Sequence, residues 1–442
     1  MKKSLLAIAA LSAVAGVARA DVSMYGVLDM GIANLTSGQS QNPSMPAGVP
    51  TQIYTTNNGG KAVTTLAPNG MSQSVLGFKG SEDIDSGLKA GFILEAGINP
   101  TSGTITDGLS GLSQGNFKTS TGADTSRTGQ LFNNRSTIYL SSKDWGTVSF
   151  GRQYTISLDD IIKYDPLNGS YAFSVVGFYG SYGGGGWTED ARLDNSVKYE
   201  AKFGGVRVGA MYQFGGVAGN NTANSAGQLG IGTDLGNLSM DAYATFKKDG
   251  LGSFPSTGSP TASNSMLGII SDNKAMGFGA SYKLSQFKFM GGAEHIVYSP
   301  PTDPAGAMTI GNYQFSQYGA INGANPATSA YVQNKVVNIL YGGGIWSVNS
   351  RFDLIASVYN VRNMDYTGCS NGIGDQGHCA GFLQSYALVA DYHLSKRTDF
   401  YAGISTQNIT GGVATFYNIG ASANNPEATQ NTTTMVGFRT RF

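Results

Sequence analysis

Across 442 residues only 13% are charged, with 28 basic against 28 acidic, while glycine reaches 63, tyrosine 23 and phenylalanine 21. That charged share is about half the usual value for a soluble domain, and without a basic excess nothing draws the chain to nucleic acid. Beyond the first twenty residues no stretch holds 18 uncharged apolar residues, which excludes a membrane-spanning helix.

In chain order, the first segment is "MKKSLLAIAALSAVAGVARA": two lysines, a short apolar run and a small-residue ending. This pattern predicts an export signal over residues 1–20, cleaved after Ala20. Lys2, Lys3 and Arg19 leave with it and no acid does, so 25 basic residues face 28 acidic ones, a net charge near −3. Backbone groups in hydrocarbon must pair within a helix or a closed barrel. An exported chain with little charge and no spanning helix is therefore expected to be a β-barrel, one domain over 21–442.

Alternating segments of about ten residues follow, and sixteen are predicted as strands. The first is "VSMYGVLDMGIANL", then "SQSVLGFKGSEDI" and "GLKAGFILEAGI", with Leu76, Phe78, Phe92 and Leu94 toward lipid. "NNRSTIYLSS" and "GTVSFGRQY" come next. "RLDNSVKYEAKF" follows, where Val197, Tyr199, Ala201 and Phe203 share one parity and Ser196, Lys198, Glu200 and Lys202 the other. Next are "GVRVGAMYQF", "GQLGIGTDLG", "LSMDAYATFKK", "KAMGFGASYKLS" and "QFKFMGGAEHIVYS". The last five are "KVVNILYGGGIW", "RFDLIASVYNV", "LQSYALVADYHLS", "RTDFYAGISTQNI" and "TTTMVGFRTRF".

Short turns alternate with long stretches rich in Asn, Thr, Ser, Gly and Pro, at 35–70, 100–132, 155–190, 249–273, 300–333, 366–381 and 410–431. A barrel with two unlike ends accounts for that alternation, with its long loops facing outside. The closing strand places Phe438 toward lipid, Phe442 in an aromatic girdle, and Arg439 and Arg441 toward water inside. Tyr392 and Phe400, flanking "SKR", are girdle candidates of the same kind.

Cys369 and Cys379, ten apart in a polar loop of an exported chain, are expected to form a disulfide. Zinc at the adjacent His378 lacks further ligands, because His295 and His393 lie on unrelated segments. The run "GSYGGGGW" lacks the Gly-Lys-Ser/Thr ending of a phosphate loop, and no Ser-His-Asp pattern emerges. Neither a cofactor, a metal nor a catalytic residue is expected.

The phrases "SMYGVLDMGI", "LGFKGSEDIDSGLKAGFILEAG", "LFNNRSTIYLSSKDWGTVSFGRQY", "DNSVKYEAKF", "YHLSKRTDFYAG" and "VGFRTRF" are similar to those of the trimeric general porins of Gram-negative outer membranes, especially the β-proteobacterial branch. The resemblance implies an all-β, 16-stranded antiparallel transmembrane barrel with short periplasmic turns, long outer loops and an inward-folded third loop. It implies a homotrimer in the cell outer membrane, in contact with lipid and lipopolysaccharide, passing small hydrophilic solutes and ions by passive diffusion. A terminal Phe in that family belongs to the signal read by the barrel-assembly machinery. A barrel whose outer loops serve mainly as an adhesin or receptor surface is the alternative; a hydrolase would need a nucleophile–base pair that the sequence does not offer.

The same resemblance supplies the site. Asp165 stands where the family has a constriction carboxylate, with Asp159 and Asp160 as further acids, although the usual Pro-Glu-Phe-Gly-Gly run is replaced by "PLNGSYAF". On the wall, Arg135 and Arg192 match basic positions, Val75 replaces an arginine, and Lys79 is a partial substitute. Glu95 is a further constriction candidate. Arg152 has lipid-side parity with Val148 and Phe150 and is expected at a subunit contact. Cation or anion preference is left open.

Overall fold

The computed structural model describes residues 21–36, 62–105 except 86, 131–176, 191–248 except 224, 272–299, 302, 309–310, 313–314, 334–364, 381–410 and 430–442. The expected signal at 1–20 and the Cys369 and Cys379 pair lie outside the described residues.

The spanning strands are β1 (Asp21–Thr36), β2 (two segments, Val63–Pro68 and Val75–Asp85), β3 (Leu88–Asn99), β4 (Arg135–Ser142), β5 (Gly146–Tyr154), β6 (Arg192–Phe203), β7 (Val206–Gln213) and β8 (Ala226–Leu235). They continue as β9 (Leu238–Lys247), β10 (Asp272–Leu284), β11 (Phe287–Ser299), β12 (Lys335–Asn349), β13 (Phe352–Asn363), β14 (Gly381–His393), β15 (Thr398–Ile409) and β16 (Gln430–Arg441). Every strand pairs antiparallel with its sequence neighbour, and β16 closes on β1 from Val27↔Arg441 to Thr36↔Thr432. The Gly26 and Phe442 backbones exchange two hydrogen bonds of 3.1 Å at the seam. A sheet without edges leaves no backbone group unpaired in the bilayer, and period-2 alternation follows from it.

That alternation sorts the side chains as the sequence requires. Ile32, Ile138, Leu229, Ile231, Met276, Leu340 and Leu388 stand exposed on the outer face. Phe438, Phe400, Tyr392 and Phe352 lie opposite one another in register, a row of rings near the short-turn end. Phe442 is also exposed.

Inside, the glycine excess finds its use. Tyr25, Tyr139, Tyr243, Tyr341 and Tyr401 each lie flat over the glycine directly opposite on the next strand: Gly77, Gly91, Gly277, Gly292 and Gly437. An aromatic ring covers the exposed backbone of a glycine in a strand and pins the register. A Cβ at Gly437 would sit 2.2 Å from the Tyr401 ring and hydroxyl. Because the Tyr401 hydroxyl is held 2.5 Å from Asp29, the ring has nowhere to turn. Gly437→Val is expected to destabilise the barrel by about 1–3 kcal/mol, read as a lower temperature for the heat-induced mobility change of the folded form in detergent gels.

Two features depart from a plain barrel. Between the two segments of β2, residues 69–74 swing inward, starting from Asn69 at φ 64, a left-handed conformation that Asn tolerates better than most residues. After β5, helix α1 (Ile156–Tyr164) packs against the inner wall of β7 to β11. Glycines floor this track: Cβ atoms at Gly230 and Gly279 would meet Ile156 and Tyr164 at 2.6 and 2.2 Å. The chain after α1 continues over Gly343 beneath Pro166 and Gly403 beneath Phe173. It covers an apolar inner wall that includes Ile339, Val361, Leu383 and Val389, all 2% exposed or less.

Candidate functional site

Tyr25 on β1 and Tyr154 at the end of β5 both donate to Glu95 on β3, the first to Oε2 at 2.8 Å and the second to Oε1 at 2.6 Å. Asn134 adds a third hydrogen bond to Oε1 at 3.1 Å. Glu95 is only 6% exposed, so the carboxylate is buried and fully used.

Around this core stand the cations. Arg135 faces Glu95 across the β3–β4 ladder, with its guanidinium 5.5 Å from the Tyr154 ring centre. Arg192 lies 4.8 Å from the same ring and donates to Gln73 Oε1 at 3.0 Å. Lys79 sits 5.3 Å over Tyr25. Ring faces attract cations and hold guanidinium planes in place. Both arginines keep a buried Nε without a protein partner. The predicted residues Arg135, Arg192, Lys79 and Glu95 thus come together in one cluster on β2 to β6. Tyr25, Tyr154 and Gln73, which orient them, were not singled out by the sequence; Tyr25 and Gln73 have inward parity, whereas Tyr154 shares the lipid-side parity of Val148 and Phe150 and turns in only past the register shift after Gly151.

Around α1 the described acids are mostly neutralised. Asp159 on α1 pairs with Lys198 at 2.7 Å, which also reaches Glu200 at 3.0 Å. Lys163 and Tyr164 bind Asp241, and Arg207 bridges Asp234 and Asp241. Asp160 keeps one buried, unpartnered oxygen. Burial, then the charges of Asp241 and Asp159, push its carboxyl up to about 7.

Asp165, expected as the neck carboxylate, requires correction. It is 0% exposed and caps the end of α1, accepting from Leu167 N at 3.2 Å, Gly169 N at 2.7 Å and Tyr359 Oη on β13 at 2.6 Å. Burial pushes its carboxyl above the usual range, against the pull of hydrogen bonds that include Ser174. The group anchors the loop to the wall and has no surface open to the lumen. Arg152 keeps Ser136 opposite it in the β4–β5 ladder, and its side chain, 8% exposed, binds Asp194 and the Asn133 carbonyl beside the register shift between β5 and β6.

A family model described as Gram-negative porin matches residues 7–412. An outer membrane porin protein of Bordetella pertussis is 28% identical over 236 residues, 53% of either chain, so that match spans about half of the relative's length. Outer membrane porin protein 32 of Delftia acidovorans is 25% identical over 398 residues, covering 87% of this chain and 96% of that one. Among solved structures, the anion-selective porin from Comamonas acidovorans superposes with a TM-score of 0.62 at 19% identity, over 96% of this chain and 100% of that one. OmpT of Vibrio cholerae gives 0.56 at 16% identity, over 96% and 98%.

Proposed function

The chain belongs to the Gram-negative porin family, and from that premise we propose an outer-membrane channel whose neck favours anions among the small hydrophilic solutes that diffuse through it. Porins are channels rather than enzymes, and the closed barrel supplies the wall. The reading assembles the chain as a homotrimer in outer-membrane lipid and lipopolysaccharide, with Phe442 in the terminal signal for barrel assembly. The name of the Comamonas relative accords with anion preference.

One observation carries the preference: among the described residues Lys79, Arg135 and Arg192 gather around one acid, Glu95, Asp194 on the same wall is taken by Arg152, and the acids around α1 are paired or largely buried. Fixed charges across a narrow aqueous neck act on a passing ion without contact, and an uncancelled cationic wall lowers the barrier for anions. Val75, where the family has an arginine, weakens this preference without reversing it.

Reversal potential across a potassium chloride gradient tests the reading. Wild-type channels are expected to pass chloride in excess of potassium, and a cation-preferring reversal potential would overturn it. Asp165→Asn is expected to leave the potential unchanged, since that side chain caps α1.

A further inference from the structure

At the short-turn end, far along the wall from the neck cluster, five inward charges on four strands converge on one imidazole. His393, at the end of β14, places Nδ1 2.9 Å from Asp399 Oδ1 on β15 and Nε2 3.0 Å from Asp353 Oδ2 on β13. A neutral imidazole has one N–H and can donate to one of these acceptors; only the imidazolium donates to both. Asp353 lies directly opposite Asp391 in the ladder, a like-charge pairing that a sheet does not favour. Asp391 is 4% exposed and keeps Oδ1 buried without a partner.

From β16, Arg439 binds Asp399 at 2.8 Å and Asp391 at 3.2 Å, and Arg441 binds Asp399 at 2.7 Å. With His393 charged, these three carboxylates meet three cations, and a fourth carboxylate, Asp29 on β1, stands opposite Arg439 in the closing ladder. Without that proton, the cluster is one unit more negative and only one of Asp353 and Asp399 can keep a hydrogen bond from the ring.

We propose that His393 is a proton-operated tie at the short-turn mouth, bridging β13 and β15 when protonated, and that loss of its proton loosens the rim and lowers the anion preference of the channel. The inference rests on the channel reading above. Its reach toward the neck follows the side chains: Arg439 also donates to Ser72 Oγ at 2.7 Å, and the next residue, Gln73, accepts from Arg192.

Planar bilayers allow the pH to be changed on one side at a time. Asp160, on α1, titrates in the same range, so the comparison is made in an Asp160→Asn background, with folding checked by heat-dependent gel mobility. Raising the pH from about 5 to about 9 on one side only is expected to lower the anion-to-cation permeability ratio about fourfold in dilute salt, where one added charge at about 10 Å is little screened and acts oppositely on the two ions. His393→Asn is expected to abolish that change. His295→Asn, on the outer face beside Asn338, is expected to retain it.

Asp353→Asn removes one negative charge facing the imidazole and should move the midpoint to lower pH. Conducting channels in which His393→Asn keeps the full pH response, or Asp353→Asn keeps the wild-type midpoint, would overturn the tie and leave the channel reading intact. Folded protein that never conducts would instead overturn that reading.

Discussion

A channel carrying Arg135→Ala together with Arg192→Ala is expected to lose most of its anion preference. At about 7 Å in water each fixed charge shifts the energy of a passing ion by about 0.6 kcal/mol, so without screening the pair changes anion permeability about sevenfold in one direction and cation permeability about sevenfold in the other. Among the described residues of the cluster, the buried Glu95 then stands with Lys79 as its remaining cation, which leaves a nearly neutral neck. The double substitution Arg135→Lys and Arg192→Lys keeps the charge but loses the stacked planes over Tyr154, and should retain most of the preference. An unchanged reversal potential in the alanine channel would remove this cluster from the conduction path.

The expected magnitude depends on the far wall as much as on the near one. Had Asp165 faced the lumen, removing two arginines would have produced a cation-selective neck. With Asp165 capping α1 and Asp159 held by Lys198, little acidity remains to take over. Salt sharpens the test, since the effect should weaken as the Debye length falls below the width of the neck.

The barrel was legible because membrane strands obey one strict period, and each segment quoted from the sequence falls on a spanning strand. Even weakly patterned "GQLGIGTDLG" and "LSMDAYATFKK" become β8 and β9. What the period could not show was anything that interrupts it. Past the register shift after Gly151, Tyr154 turns toward Glu95 against its parity with Val148 and Phe150, and the inward swing at 69–74 hid Val63–Pro68 from a search for a single run. Inward Ile339, Val361 and Leu383 contradict a polar lumen; they are apolar because the chain following α1 lies on them, a contact separated in sequence by more than a hundred residues.

The site was readable to the same extent. Arg135, Arg192 and Lys79 revealed themselves by inward parity in regular strands, where direction follows from position. Asp165 lies in a loop, where parity has no meaning and only hydrogen bonding decides direction. The replacement of Pro-Glu-Phe-Gly-Gly by "PLNGSYAF" was a warning in the sequence, since Gly169 and Leu167 supply the backbone donors that hold the carboxylate.

Removing the Asp29 carboxylate is expected to disturb assembly more than any single neck substitution. This side chain on β1 is 0% exposed and accepts from the backbone of Gly70, Met71 and Ser72 at 3.2, 2.9 and 2.7 Å, and from Tyr401 at 2.5 Å. Asp29→Ala strands four donors, at about 1–3 kcal/mol for each one left unsatisfied; water entering the space would recover part, so a loss of about 3–6 kcal/mol is expected. The consequence should travel, because Gly70 also accepts from Ala172 N and Ser170 Oγ at 3.0 and 2.7 Å, and Gln73 holds Arg192. Freed from Asp29, segment 69–74 releases both the inward loop and one arm of the basic cluster. Asp29→Ala is therefore expected to lower the unfolding temperature in detergent and to produce noisy, unequal conductance steps, while Asp29→Asn, keeping one acceptor oxygen, falls between. Wild-type stability with steady steps in the alanine variant would show that the inward segment is held by its own backbone and that the seam does not depend on this carboxylate.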